Sequence, residues 1–276
     1  MLRQHWLKKN KKSNSTNKLK DTLEISIVQT DLILKDKQKN LIKIESILSD
    51  LKSTDIILLP EMFNTAFCPL DVSLAETMSG PTINWMKSIS KQKKCSIAGT
   101  LMIKEKNNIY NRLVWLNKEG EVFCYDKVHL FSLAKEDKLL SKGSKKIIIS
   151  DYGWKICPLI CYDIRFPVFC RNQNEYDMLI FLSSWPSKRI KAWDTLLQAR
   201  AIENQAYTAG VNRVGKDENG FEFPGHSSFF DGLGNSLLEL NQEKDIVKTV
   251  VISKEKLILQ RRQLKFLNDQ DNFTIH

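Results

Sequence analysis

The stretch WKICPLICYDIRFP, residues 154–167, decides the reading of this chain. Residues 154–160 read as a strand, entered from an Asp151-Tyr152-Gly153 turn that joins it to another strand at 147–150. Asp163-Ile164-Arg165-Phe166-Pro167 then breaks the strand and starts a helix, proline being suited to a first helical turn. Cys161 therefore stands at a strand-to-helix elbow, where a side chain can be exposed and backbone amides converge.

The same pattern extends in both directions. Upstream, 24–29 is a strand rich in β-branched residues, and 38–51 carries Leu41, Ile42, Ile44, Ile47, Leu48 and Leu51 at mostly helical spacing. An apolar strand at 55–60 stops at Pro60, so Glu61 lies just past its carboxyl end, where α/β folds build sites. A helix at 81–90 is opened by Ser79-Gly80-Pro81. Strands follow at 95–103, 109–116 and 121–125, separated by the Asn107-Asn108 and Lys118-Glu119-Gly120 turns, and Lys127 comes just after the last of them. Downstream are a buried strand at 178–182 and a helix at 188–204 with Ile190, Trp193, Leu196, Leu197, Ala201 and Ile202 as its apolar positions. Strands at 206–211, 227–230, 236–240 and 246–252 complete the chain. βαβ units mix with hairpins, and the body has neither a Pro/Gly/Ser linker nor a repeat. The expectation is one α/β domain in which two mixed sheets face each other with helices outside.

Composition sets the outer limits. Hydrophobic residues make up 42% and charged residues 27% of the 276, the balance of a globular chain with a sizeable core. The longest apolar runs, 56–60 and 178–182, are far below the ~20 residues of a membrane-spanning helix, so no membrane partner is expected. The net charge of +10 suggests nucleic acid, but residues 1–20 contribute seven basic residues and no acid, leaving the body close to neutral. Residues 1–22 are thus read as a basic, disordered leader and 23–276 as the folded domain. The leader lacks the apolar stretch of a secretory signal; a mitochondrial presequence stays open, although Lys and Asn stand where Arg is usual. Six cysteines, at 68, 95, 124, 157, 161 and 170, are too sparse for a disulfide scaffold and fit a reducing cytoplasm. Neither they nor the four histidines have metal-ligand spacing, so no metal is expected.

Three residues carry the chemistry this pattern allows. A thiol that hydrolyses an amide needs a nucleophile, a proton-moving group and a cationic or hydrogen-bonding site for the oxyanion. Cys161, Glu61 and Lys127 could supply these, each near a strand's carboxyl end. Taken singly, a Glu–Lys pair is usually a surface ion pair and a buried Cys a small core residue. A Cys/His dyad with His129 or His226 is the alternative base arrangement. A protein without catalysis, using the basic leader on RNA or another polyanion, is the alternative of a different class.

The local sequences weigh against both alternatives. LPEMF (59–63), YDKVHLF (125–131) and ICYDIRFP (160–167) resemble the three signature blocks of the nitrilase, or carbon-nitrogen hydrolase, superfamily, in its order. The resemblance continues through WDTLLQARAIENQ (193–205), NRVG (212–215) and GHSS (225–228), and covers roughly residues 24–270. It implies a four-layer α-β-β-α sandwich, paired through helices into a homodimer. Glu61 would then be the general base, Lys127 the oxyanion stabiliser and Cys161 the nucleophile, with no cofactor. It also implies a supporting role for Glu136, otherwise a solvated loop charge beside Lys135, Asp137 and Lys138. The backbone N–H of Tyr162, next in the elbow, joins Lys127 as an oxyanion donor.

RFPV (165–168), SWP (184–186), AIENQAY (201–207) and FLNDQD (266–271) are similar to the bacterial omega-amidase branch of that superfamily. This resemblance implies hydrolysis of the terminal amide of a 2-oxoacid amide such as 2-oxoglutaramate, giving 2-oxoglutarate and ammonia. A carboxylate far from the scissile bond needs a cation. Arg165 is the candidate, against a reading in which it pairs structurally to hold the elbow. Phe67 and Trp185 are candidate pocket walls, against plain core packing. Cys68 and Cys157 read as core residues or site neighbours.

Overall fold

The computed structural model describes residues 20–173, 175–217 and 220–274. Residues 1–19 of the expected leader lie outside them. Lys20, assigned to that leader, is tied to the body: its carbonyl accepts from Trp154 Nε1 at 2.8 Å and its amide donates to Tyr152 O at 3.1 Å.

The chain runs β1 (Thr22–Gln29), α1 (Lys37–Ser49), β2 (Ile56–Leu58), α2 (Pro81–Lys93), β3 (Ser96–Glu105), β4 (Asn108–Leu116) and β5 (Val122–Asp126). After α3 (Glu136–Leu139) come β6 (Ile149–Asp151), β7 (Trp154–Ile160), α4 (Pro167–Cys170), β8 (Met178–Ser183), α5 (Ile190–Asn204) and β9 (Tyr207–Asn212). The last elements are β10 (Val214–Lys216), β11 (Glu222–Pro224), β12 (Ser227–Phe230), β13 (Ser236–Leu240), β14 (Ile246–Ser253) and α6 (Lys254–Leu264). One six-stranded sheet has the order β14-β1-β2-β3-β4-β5 and the other β13-β12-β9-β8-β7-β6. In each, three central strands are parallel (β1, β2, β3; β7, β8, β9) and the flanking strands antiparallel. Those central strands are buried on both faces, which is why IIL in β2 and MLIFLS in β8 are unbroken apolar runs.

Alternation distributes the side chains between layers. In β1, Leu23, Ile25 and Ile27 join the core between the sheets, while Val28 turns outward to meet Ile44 and Leu48 of α1. α2 adds Ile83, Met86 and Ile89 to that outer layer. On the second sheet α5 lays Trp193, Leu197 and Ala201 over β9. There Gly210 permits close approach, since a Cβ would meet Leu197 Cδ1 at 2.4 Å. The layers are therefore helix, sheet, sheet, helix, as expected.

Three local expectations change. The segment after Cys161 is a 3-10 turn, Cys161–Arg165, followed by the single-turn α4, rather than one helix. The helix expected from 188 begins at Ile190, after a 3-10 turn at Ser187–Arg189. α6 carried no sequence signal because it is polar nearly all round and buries only Leu257. Long-range ties hold it instead: Lys254 pairs with Asp177, and Arg261 Nε donates to Gln205 O at 2.8 Å. No helix of the described residues is long and apolar enough to cross a membrane.

Candidate active site

The carboxyl ends of the parallel strands meet between the two sheets. β2 leads to Glu61, whose successor Met62 takes φ +48°, and Lys127 follows β5 directly. Across from them Cys161 follows β7 and Ser184 follows β8. The sheets are stitched at this point, because Glu61 N–H donates to Ser183 O at 3.4 Å and Ser184 Oγ to Glu61 O at 3.2 Å.

Glu61, Lys127 and Glu136 form a sealed cluster, with no side-chain exposure on any of the three. Lys127 Nζ lies 2.8 Å from Glu61 Oε1 and 2.9 Å from Glu136 Oε2. Buried charges survive only with such pairing and with their remaining lone pairs occupied. Here Ser184 N–H donates to Glu61 Oε2 at 3.0 Å and Phe131 N–H to Glu136 Oε2 at 2.7 Å. Glu136 is thus not a solvated loop charge; it opens α3 facing inward.

Asn111, which sequence reading passed over, connects these groups. Its Nδ2 donates to Glu61 Oε1 and to Glu136 Oε1, both at 2.9 Å, and its Oδ1 accepts from Thr100 at 2.9 Å. Its backbone carbonyl also receives Lys127 N–H at 3.0 Å. The only available signal was an amide side chain inside the mostly apolar strand β4. Ser184 was quoted for its resemblance alone and gave no functional signal.

The charges set the protonation states. Burial raises the proton affinity of Glu61; Lys127 lowers it and Glu136 raises it again, leaving the carboxyl above its ordinary value. For Lys127 burial is the largest influence and favours the neutral amine, but Glu136 and Glu61 outweigh it and hold the ammonium above its ordinary range. At Cys161 burial and then Glu61 push the thiol upward, and Lys127 opposes them only in part. The lysine charge therefore does not leave a resting thiolate. The sulfur carries a proton until a base removes it.

Asn111→Ala is expected to lower turnover on the order of tenfold and to cost about 1–3 kcal/mol of stability, because two buried carboxylates lose a donor. Asn111 lowers the proton affinity of Glu61, so its removal should move the acid limb of the pH–rate profile to higher pH. An acid limb that stays in place would separate Asn111 from the proton chemistry.

The elbow is held without Arg165. Cys161 has φ +40°, a left-handed conformation costing a non-glycine residue roughly 1 kcal/mol. Asp163 fixes it by accepting from Ile160 N–H at 3.0 Å, Tyr125 OH at 2.8 Å and His129 N–H at 3.1 Å. Arg200 donates to Ile164 O from Nε at 3.0 Å and from Nη2 at 2.7 Å. Tyr162, second in the 3-10 turn, has an amide with no acceptor within that turn.

Cys161 is 9% exposed and opens on a cavity of about 570 Å³ that Glu61 and Lys127 also line. Phe67, Trp185, Arg165, Arg189 and Tyr162 face the same space. Phe67 lies under the lysine, its ring centroid 5.6 Å from Lys127 Nζ. Trp185 is both wall and core, 2% exposed and 5.5 Å from the Trp193 ring. Cys68 lines the cavity, whereas Cys157 is sealed in β7. Neither histidine of the dyad alternative borders the cavity: His129 Nδ1 is bound to Asp163 Oδ1 at 2.7 Å and His226 Nδ1 to Asp194 at 3.1 Å. Among the described residues no group of three or more His, Cys, Asp or Glu could hold a metal ion.

A thiol on an apolar-walled cavity, with a carboxylate and an ammonium at its base, is equipped for acyl transfer. The chain belongs to the carbon-nitrogen hydrolase family, whose profile matches residues 24–262. It is 36% identical over 256 residues to the omega-amidase YafV of Yersinia enterocolitica, covering 92% of this chain and 99% of that one. It is 34% identical to the 2-oxoglutaramate amidase of Bacillus subtilis, over 82% and 90% of the two chains. Among solved structures it resembles XC1258 from Xanthomonas campestris, a carbon-nitrogen hydrolase superfamily protein with an arsenic adduct in its active site. That likeness has a TM-score of 0.89 at 35% identity and spans 92% of this chain and 99% of the other. The protein is accordingly a hydrolase of amide carbon–nitrogen bonds.

Proposed function

We propose that the protein is an omega-amidase-like enzyme that cleaves the terminal amide of a small 2-oxoacid amide, of the 2-oxoglutaramate type, through a Cys161 thioester. The observation that carries this reading is a thiol opening on the same cavity as the Glu61–Lys127 pair. The activities for which the Yersinia and Bacillus relatives are named supply the substrate class.

In this mechanism Glu61 takes the Cys161 proton as sulfur attacks the carbonyl carbon. The carbonyl oxygen becomes an oxyanion bound by the Lys127 ammonium and the Tyr162 N–H, each such donor contributing roughly 100- to 1,000-fold. Collapse breaks the carbon–nitrogen bond, and Glu61 returns its proton to nitrogen so that ammonia leaves. Glu61 then deprotonates water, which attacks the thioester; the second collapse releases the carboxylate product, and the sulfur recovers its proton. Glu136 keeps Lys127 charged and in place. A raised Glu61 suits both directions of proton transfer. Phe67 and Trp185 form the walls, and Arg165 faces the substrate's far end.

A homodimer through the outer helices is part of the proposal, supported by the exposed apolar Val168 on α4 and Ile202 on α5. So is a reducing, cytoplasmic setting, supported by six cysteines that are all free thiols.

Ammonia release from 2-oxoglutaramate, glutamine, asparagine and a simple nitrile tests the specificity. Turnover is expected to be fastest on 2-oxoglutaramate by at least about tenfold, since a site built for a polar group discriminates strongly against analogues lacking it. If 2-oxoglutaramate is inert while another amide is cleaved well, the narrow substrate assignment falls.

A further inference from the structure

Between β2 and α2 the chain has no regular element except a 3-10 turn at Val72–Leu74, yet this stretch builds one side of the cavity. Phe67, Cys68, Pro69, Leu70 and Asp71 line it in succession. The loop is entered under backbone strain, since Met62 and Ala66 both take left-handed conformations, at φ +48° and +58°, which cost a residue that has a β-carbon. Its apolar anchorage is small: Phe67 and its neighbours pack on a satellite cluster whose buried members are Met62, Met102 and Leu140. A strained loop with so little apolar burial persists only where other bonds fix it.

Those bonds meet at Asn64 and Glu76, the two ends of the loop. Asn64 Nδ2 donates to Glu76 Oε1 at 3.3 Å and to Thr82 Oγ1, in the first turn of α2, at 3.1 Å. Glu76 Oε1 also accepts from Thr82 Oγ1 at 2.6 Å and pairs with Lys37 Nζ at 3.2 Å, while Oε2 accepts from Thr82 N–H at 2.9 Å. Asn64 and Glu76 are buried, so opening this clasp would strand polar groups away from water. Each end is tied to the body as well: Glu76 N–H donates to Met102 O on β3 at 2.9 Å, and Asn64 O accepts from Asn40 Nδ2 on α1 at 2.9 Å. A loop pinned at both ends holds its middle in place. Here the middle presents Phe67, whose ring centroid lies 5.6 Å from Lys127 Nζ. None of Asn64, Glu76 and Thr82 lines the cavity itself.

We propose that Asn64 and Glu76 are positioning residues for substrate binding: their buried clasp holds the 64–76 loop so that Phe67 closes the cavity wall beside Lys127. The inference rests on the amidase reading for what the cavity receives, and adds that the affinity for it is set from outside the cavity. Loosening the clasp withdraws a wall that substrate and transition state touch alike, which weakens binding without removing a reacting group. Glu61, at the entry of the loop, keeps its own ties to Ser184 and Asn111.

Kinetics of Asn64→Ala, Phe67→Ala and the double variant, on the fastest amide of the panel above, test this. Asn64→Ala is expected to raise KM about tenfold while kcat per folded site stays within about threefold, an effect of the size found between residues coupled through shared contacts. Simple loss of folded protein would instead lower kcat and leave KM as it is. Phe67→Ala should raise KM comparably, and the double variant no further than either single one, because both changes remove the same wall. Asn64→Ser, which keeps a polar group in the buried position, reads the same split. Glu76→Gln, which turns one acceptor of the clasp into a donor, should raise KM and also lower Tm, since Glu76 receives the Thr82 N–H at the start of α2. A readout independent of turnover is the rate at which N-phenylmaleimide alkylates Cys161 relative to iodoacetamide, followed by peptide mass spectrometry. The bulkier reagent should gain about tenfold in Asn64→Ala and gain nothing more on a Phe67→Ala background. An unchanged KM in the folded Asn64 variants, a loss confined to kcat, or additive effects in the double variant overturns the positioning role and leaves the amidase reading intact. A gain in alkylation that depends on Phe67, in a protein that hydrolyses no amide, supports the clasp and removes the amidase reading instead.

Discussion

Replacing Cys161 by alanine is expected to abolish turnover while leaving the folded protein in place. The sulfur is the atom that would form the thioester; Cys157 is sealed within β7, and Cys68, which lines the same cavity, has its Sγ on Ala66 O at 3.3 Å instead of beside the Glu61–Lys127 pair. Removing the nucleophile from a group of residues that act as a unit costs on the order of 10⁴- to 10⁶-fold in kcat. Stability should move little, because alanine keeps the β-carbon and the deleted sulfur borders a cavity, not a packed interior. Both sides can be measured. Steady-state rates give the loss, and mass spectrometry of intact protein quenched during turnover should show an acyl adduct on Cys161 in the wild type and none in the variant. Clear residual turnover, or an adduct on another residue, would remove the thioester mechanism.

Lys127→Met is expected to cost both activity and fold stability, in contrast to Glu61→Gln. Among the described residues the lysine is the only cation bonded to two buried carboxylates, at 2.8 and 2.9 Å. Without it the carboxylates face each other across Asn111, and removing one partner of a buried ionic group costs about 3–5 kcal/mol. For a chain of this size that corresponds to a fall of about 10 °C in Tm. In Glu61→Gln the Lys127–Glu136 pair remains balanced and the amide still fits, so activity should disappear with little change in Tm. The pH dependence has a definite sign. Burial already holds Glu61 above its ordinary value of 4.5, and loss of the lysine, which lowers it, raises it further. A carboxyl raised in the folded state contributes stability that is fully present below the unfolded pKa and is lost as pH rises through the folded one. The stability deficit of Lys127→Met should therefore be small near pH 4 and grow toward neutrality. Thermal melts of both variants across pH test this, and a deficit independent of pH would mean that repulsion between the carboxylates is not its cause.

The elements nearest the chemistry could be read locally because their signals are local. Pro60 ends an apolar run before Glu61, and a break after Ile160 leaves Cys161 on a turn; both are short-range consequences of backbone sterics and turn residues. The helices whose apolar stripes bury against a sheet, α1, α2 and α5, were legible to within a few residues for the same reason. α6 was not, since it buries one leucine and is held by Lys254, Arg261 and their partners in distant segments.

The sequence by itself determined the strand order along the chain, the residue types at three strand ends and the resemblance that links them, all of which are properties of neighbouring residues. Only the tertiary structure decided that Glu136 turns inward to Lys127, that Asn111 bridges two carboxylates, and that Asp163 and Arg200, not Arg165, hold the elbow. It also decided that Arg189 shares the cavity of Cys161. The reason is physical: a charge's role depends on which opposite charge lies within a few ångströms and how much water is excluded, and both are set by segments far apart in the chain.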